Sequence, residues 1–184
     1  MNPPRKTYPV EIAGVHRELP IFQVAPGLSI AVLNLLGDTE LVQACSHALA
    51  ERLSRLNFDV IVTAEAKSIP LAHALSVEIH KPYIVLRKAY KPYMGVALMS
   101  ETLSITTGHP QTLYLDEKDQ SLLAGKRVVL LDDVISTGST LQGMEQLMEK
   151  AGAQIILRTA VFTEGDQANW THIVALGNLP LFRS

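Results

Sequence analysis

The chain has one cysteine, Cys45, and one tryptophan, and aromatic residues make up only 5% of its 184 positions. A single thiol excludes an internal disulfide and a cysteine-rich zinc site. Cys45 falls on the apolar stripe of a predicted helix, so it reads as a packed, inert thiol. Long hydrophobic runs are missing too: nothing approaches the roughly 20 apolar residues of a membrane-spanning helix. The opening "MNPPRKTYPVEIAG" holds no continuous apolar stretch of the signal-peptide kind. Charge of one sign is also missing, since 16 basic and 18 acidic residues leave a net charge of −2. That balance gives no general attraction to nucleic acid or an anionic membrane. The expectation is a cytoplasmic domain that binds neither, in which any anion site is local.

Apolar residues, in contrast, are plentiful. They form 47% of the chain against 18% charged, which argues against disorder. Residues 1–184 fit one domain with a sizeable core. In "DTELVQACSHALAERLSRL", Leu41, Val42, Cys45, Leu49, Leu53 and Leu56 recur at helical spacing, with Asp38 as N-cap. "FDVIVT" (58–63) and "PYIVLR" (82–87) read as short buried strands around the helix "SIPLAHALSVEIH", with Ser68 as its cap and Pro70 in its first turn. Residues 88–110 break the rhythm with Pro92, Gly95, Gly108 and Pro110, and read as two edge strands around a loop. "RVVLL", "STLQGMEQLMEKAG" and "QIILRTAVF" then predict strand, helix and strand. Strands alternating with helices indicate an α/β fold, a parallel sheet flanked by helices. In such sheets ligands bind beyond the carboxyl ends of the strands.

Three strand ends carry suggestive residues: "TAEAKS" (63–68), "RKAYK" (87–91) and "DDVISTGST" (132–140). In the last, Ser136, Thr137, Gly138, Ser139 and Thr140 sit where a strand turns into a helix. Exposed amides and the positive helix end make such a turn an anion site, and the hydroxyls add donors. Asp132 and Asp133 can accept hydrogen bonds from a vicinal diol or help hold Mg2+. A diol beside a monophosphate describes a ribose 5-phosphate. Two plainer readings compete. A strand ending in acids resembles a Walker B segment, although no G-x-x-x-x-G-K-[ST] accompanies it. The acids could instead mark a simple strand-end turn, with Ser136 or Ser139 as N-cap.

"VVLLDDVISTGST" (128–140) resembles the phosphoribosyl-pyrophosphate (PRPP) signature of the type I phosphoribosyltransferases: an apolar strand, two acids, then a T-G-S-T phosphate loop. "VTAEAKSIPLAHAL" with "KPYIVLRKAYK" resembles the pyrophosphate loop, helix and strand of the purine branch, which holds adenine and xanthine enzymes and PRPP-sensing repressors. The resemblance implies a five-stranded parallel core, a small hood (residues 1–37), a flexible flap (88–113) and a homodimer. It implies that Asp132 and Asp133 hold the ribose hydroxyls and that Ser136, Thr137, Gly138, Ser139 and Thr140 hold the 5-phosphate. Glu65, Ala66, Lys67 and Ser68 would bind pyrophosphate, with Arg87, Lys88 and Lys91 adding charge. Asp132, Asp133 and Lys91 become the catalytic candidates, and Mg2+, carried in by PRPP, could touch the two acids. Arg17 and Phe22 would line a base pocket.

Adenine members carry an L-E-Y-G-like segment before the signature, whose Glu lies near the base. Here the stretch reads "TTGHPQTLYLDEKD" without one; Glu101 lies too far upstream, leaving His109 as the stand-in. The short ending "ALGNLPLFRS" resembles adenine enzymes, whereas "TLSITTGHPQTLYL" resembles the xanthine and repressor branch. The expected activity is transfer of the phosphoribosyl group of PRPP to a purine, adenine first and xanthine or guanine second. The competing class is a catalytically weak PRPP or nucleotide sensor.

Overall fold

The structure is a computed structural model and describes residues 5–103 and 110–183. The chain begins with strands β1 (Thr7–Ile12), β2 (Val15–Ala25) and β3 (Leu28–Ala31), consecutive antiparallel neighbours. Ala13 and Gly14 join the first two with φ of 50° and 77°, the left-handed pair that a two-residue hairpin needs. Helix α1 (Thr39–Leu53) follows, and Asp38 caps it by accepting from the Leu41 amide at 3.1 Å. Strand β4 (Val60–Ala64), helix α2 (Ile69–Ile79) and strand β5 (Tyr83–Leu86) complete a first strand–helix–strand unit. Strands β6 (Leu98–Leu103) and β7 (Pro110–Leu115) form their own antiparallel two-stranded sheet. The single turn α3 (Glu117–Gln120), strand β8 (Arg127–Ile135), helix α4 (Ser139–Lys150) and strand β9 (Gln154–Glu164) come next, then β10 (Ile173–Leu179) and β11 (Leu181–Arg183).

The central sheet has the order β10-β9-β8-β4-β5, and every pair in it is parallel. One face packs on α1, α2 and the N-terminal strands through Leu35, Leu41, Leu49, Leu71, Leu131 and Val161. The other packs on α4 and β7 through Val62, Leu113, Leu130, Met144 and Leu147. Both faces are covered, which is why these strands read as unbroken apolar runs. Strand β11 pairs antiparallel with β3 and closes the N-terminal sheet as β1-β2-β3-β11. Cys45 is fully buried; burial, then the charge of Asp38, push its thiol up to about 12. Among the described residues no helix is long and apolar enough to cross a membrane.

Several boundaries differ from the expectation. Strand β8 runs through both acids to Ile135, and Asp132 still pairs with Ala160 of β9. On its other side β4 pairs with β8 only as far as Thr63 opposite Leu131, then leaves. The acids therefore stand where one neighbour has peeled away, at an open step in the sheet. Ser68 makes no side-chain cap on α2, because its hydroxyl turns to the Ala64 carbonyl at 3.0 Å. The N-cap of α4 is Gly138, not Ser136 or Ser139. Strands β10 and β11 had no counterpart in the sequence reading.

Candidate active site

The loops after β4 and β5 and the end of β8 converge on one edge of the sheet, and three cavities adjoin there. The first, about 50 Å3, is lined by Asp132 and the turn from Val134 to Leu141. The second, about 130 Å3, is lined by Glu65, Lys67, Ser68, Lys88, Asp132 and Asp133 among others. The third, about 170 Å3, shares Lys67, Asp133 and Val134 with the second and Val134 and Ser136 with the first. Its outer wall is Ile30, Ala31, Val32 and Leu33 of the N-terminal sheet and its approach to α1. Asp133 thus borders two of the cavities and Val134 all three.

In the first cavity Gly138 has φ +78°, which favours glycine and lets the chain turn into α4 without a side-chain cap from that position. The Thr137 and Ser139 hydroxyls lie 3.1 Å apart, ready to converge on one anion. The β6–β7 hairpin braces this turn. Thr102 Oγ1 donates to the Ser139 carbonyl at 3.1 Å, and Gln111 Nε2 donates to Thr140 Oγ1 at 3.1 Å. Neither residue was singled out from sequence. Their register as partners, Thr102 opposite Gln111, exists only once the hairpin is paired and laid against α4.

The two acids differ sharply. Asp132 is 8% exposed and its Oδ1 accepts from the Asp133 amide at 2.9 Å, with Ser68 Oγ at 3.5 Å. Burial, then the neighbouring charge of Asp133, raise its pKa well above the usual carboxylate range. Asp133 is more open, with Lys67 Nζ 3.8 Å from its Oδ2. That ammonium also donates to the Leu33 carbonyl at 3.3 Å, linking the acid to the N-terminal sheet.

Beside them, Glu65 is occupied inside the fold. Its carboxylate accepts from Arg87 Nε at 2.7 Å and from the Lys88 amide at 2.6 Å. Burial pulls its pKa upward, but the Lys88 amide and the Arg87 guanidinium outweigh burial, and the net shift is down. The charge of Arg87 is therefore matched by Glu65, and its backbone pairs with Tyr114 of β7. Glu65 to Ser68 run as a tight loop, with the Glu65–Ala66 peptide cis. Lys88 lines the second cavity, whereas Lys91 starts an exposed 3-10 turn and lines none of the three.

The residues expected to meet a base sit further out. Arg17 Nε and Nη2 each reach Asp38 at 2.7 Å, and Nη2 reaches Glu40 at 2.8 Å. Its guanidinium ties β2 to the cap of α1. Phe22 carries the Arg5 guanidinium 3.9 Å above its ring. Both line a wider cavity of about 490 Å3, joined to the third through Val32, Leu33 and Lys67. His109 lies outside the described residues, and Glu101 is exposed on β6. No group of three or more His, Cys, Asp or Glu positioned to hold a metal occurs among the described residues.

The geometry, an anion turn beside a buried acid pair, can be set against known proteins. The phosphoribosyl transferase domain family matches residues 32–172. The adenine phosphoribosyltransferase of Thermosipho africanus is 33% identical over 141 residues, covering 76% of this chain and 79% of that protein. The hypoxanthine/guanine phosphoribosyltransferase of Methanococcus voltae is 34% identical over 146 residues, covering 79% of this chain and 71% of that protein. The adenine phosphoribosyltransferase structure from Thermoanaerobacter pseudethanolicus superimposes with a TM-score of 0.70 at 20% identity, over 87% of this chain and 95% of that one. With the central parallel sheet, the signature turn and these relatives in agreement, the chain belongs to the phosphoribosyl transferase domain family, as a type I phosphoribosyltransferase of the purine branch.

Proposed function

We propose that the chain transfers the phosphoribosyl group of PRPP to a purine base, adenine first, giving a nucleoside 5'-monophosphate and pyrophosphate. The observation that carries this is the adjacency of the three cavities around Asp132, Asp133 and Val134. They accommodate, in order, a 5-phosphate, a diphosphate on the sugar and a flat base. Ser136 to Thr140 cradle the 5-phosphate with hydroxyls and helix amides. Asp132 and Asp133 accept from the ribose diol. The Glu65 to Ser68 loop with Lys67 and Lys88 faces the diphosphate, while Arg87 contributes through Glu65 rather than directly. The bond from C1 to the diphosphate breaks as the base nitrogen approaches, and positive charge grows on the ring. Groups fixed beforehand around the leaving group stabilise that separation.

Mg2+ fits this site as a cation brought by the substrate. Two adjacent carboxylates without a third protein ligand suit an ion that keeps waters and phosphate oxygens. When bound, it would neutralise charge on the departing diphosphate. Residues 88–113 act as the flap and 1–37 as the hood. A cytoplasmic homodimer belongs to the same reading. A 6-oxopurine is the second reading for the base, because the hypoxanthine/guanine relative is as similar as the adenine one.

The test is pyrophosphate release with PRPP, Mg2+ and each purine in turn. Turnover led by adenine is expected. PRPP binding without turnover on any base would make the chain a sensor and overturn the transferase reading.

A further inference from the structure

We infer that Glu164 is the specificity-determining residue of the base cavity, its carboxyl pairing with the hydrogen-bonding edge of the purine. The inference rests on the transferase reading above. Glu164 ends β9, opposite Leu179 of β10, and its carbonyl accepts from Trp170 Nε1 at 2.9 Å, so its backbone is held from two sides. Strand alternation puts its side chain on the face of Phe162, which packs in one core cluster with Ala31 and Leu33. Glu164 lines the third cavity with those same N-terminal residues and with Asp133 and Val134.

Glu164 is only 7% exposed, and among the described residues nothing hydrogen-bonds to its carboxyl. Every fully enclosed side-chain polar atom in that set has a partner. The carboxyl oxygens therefore keep their remaining surface toward the cavity that the residue lines. An acid held this deep without a partner is costly unless a ligand completes it. The apolar part of the wall is formed by Ile30, Ala31, Val32, Leu33 and Val134, and Ser136, assigned to the 5-phosphate, also lines it. The other charged groups of that cavity, Lys67 and Asp133, already face each other at 3.8 Å. A cavity with one apolar wall and one acid not engaged by another side chain can orient a flat heterocycle.

The chemistry then separates the purines. A neutral carboxyl offers one donor and one acceptor, which match the ring nitrogen and amino group along an adenine edge. An ionised one offers two acceptors, which match the ring N–H and amino group of guanine. Burial raises the Glu164 pKa and so favours the neutral form and adenine.

Calorimetric binding of AMP, GMP and ribose 5-phosphate to the wild type and to E164Q, E164D and E164L tests this. Gln keeps a donor and an acceptor, so E164Q should hold AMP within about threefold. E164L and E164D, which remove the carboxyl or draw it back by one methylene, should weaken AMP about tenfold or more. All three should bind ribose 5-phosphate as the wild type does. The inference is overturned if E164L and E164D keep the wild-type ratio of AMP to ribose 5-phosphate affinity, or if the wild type gains nothing from the base. It is also overturned if both ligands weaken in parallel. The transferase reading instead fails on absent turnover, so the two failures are distinct.

Discussion

At the scale of single residues, the sharpest contrast is between two neighbouring acids in one turn of strand. Asp132 is buried beside the charge of Asp133, and its ionised form is disfavoured in the fold. Its raised pKa means that its favourable contribution to stability is complete below the ordinary carboxylate range. That contribution is lost as pH rises through the folded pKa. Above the ordinary carboxylate range the fold therefore gives up stability to keep an acid at this position. Asp132→Asn should therefore stabilise the fold at pH 7 by about 1 kcal/mol, a Tm rise of about 2–4 °C for a chain of this size. The same change should lower kcat/KM with PRPP about tenfold to a hundredfold, because a charge-assisted acceptor for the diol is gone. Thermal melts across pH beside steady-state kinetics check both. A fall in Tm together with unchanged kinetics would contradict the assignment.

At the scale of elements, the turn from β8 into α4 decides the proposed phosphate site. Gly138 adopts φ +78°, and a Cβ there would meet the Trp170 ring at 3.5 Å, an ordinary contact. The cost of Gly138→Ala is therefore backbone strain rather than collision, about 1–2 kcal/mol. If the turn relaxes to relieve that strain, the amides and the Thr137–Ser139 hydroxyl pair lose their common focus. Affinity for ribose 5-phosphate should then fall about tenfold or more, while chemical denaturation reads the stability loss separately. The hairpin sits in the same balance, since Thr102 and Gln111 hold Ser139 and Thr140 from above. The run of small hydroxyl residues was legible as an anion turn. Its bracing was not, because Gln111 and Thr140 lie 29 positions apart.

At the scale of the whole molecule, the site is assembled from chain segments far apart in sequence but carried on one sheet. Lys67, after β4, bridges Asp133 on β8 and the Leu33 carbonyl beside the N-terminal sheet. A ligand filling the adjoining cavities ties together units that would otherwise loosen separately. Ribose 5-phosphate at one hundred times its Kd should add about 2.7 kcal/mol. That corresponds to a Tm rise of about 5–10 °C, read by thermal melts with and without the ligand. No rise at saturating ligand would deny the phosphate and diol assignments together.

Local pattern carried the reading a long way. The apolar run into Asp132–Asp133, the small hydroxyl turn and the Asp38 cap are written in consecutive residues, because strand burial, turn chemistry and capping act over a few positions. Assignments that depend on partners distant in the chain were decided by the tertiary structure. Arg17 is tied to Asp38, 21 positions away, while it lines the wider cavity beside the N-terminal sheet. Ser68 turns from capping α2 toward the Ala64 carbonyl and the Asp132 carboxyl. Glu164, unremarkable in "VFTEGD", becomes the open acid of a cavity only because β9 and the N-terminal sheet meet there. A residue's type limits the bonds it can make, and the path of the chain decides which of them are left for a ligand.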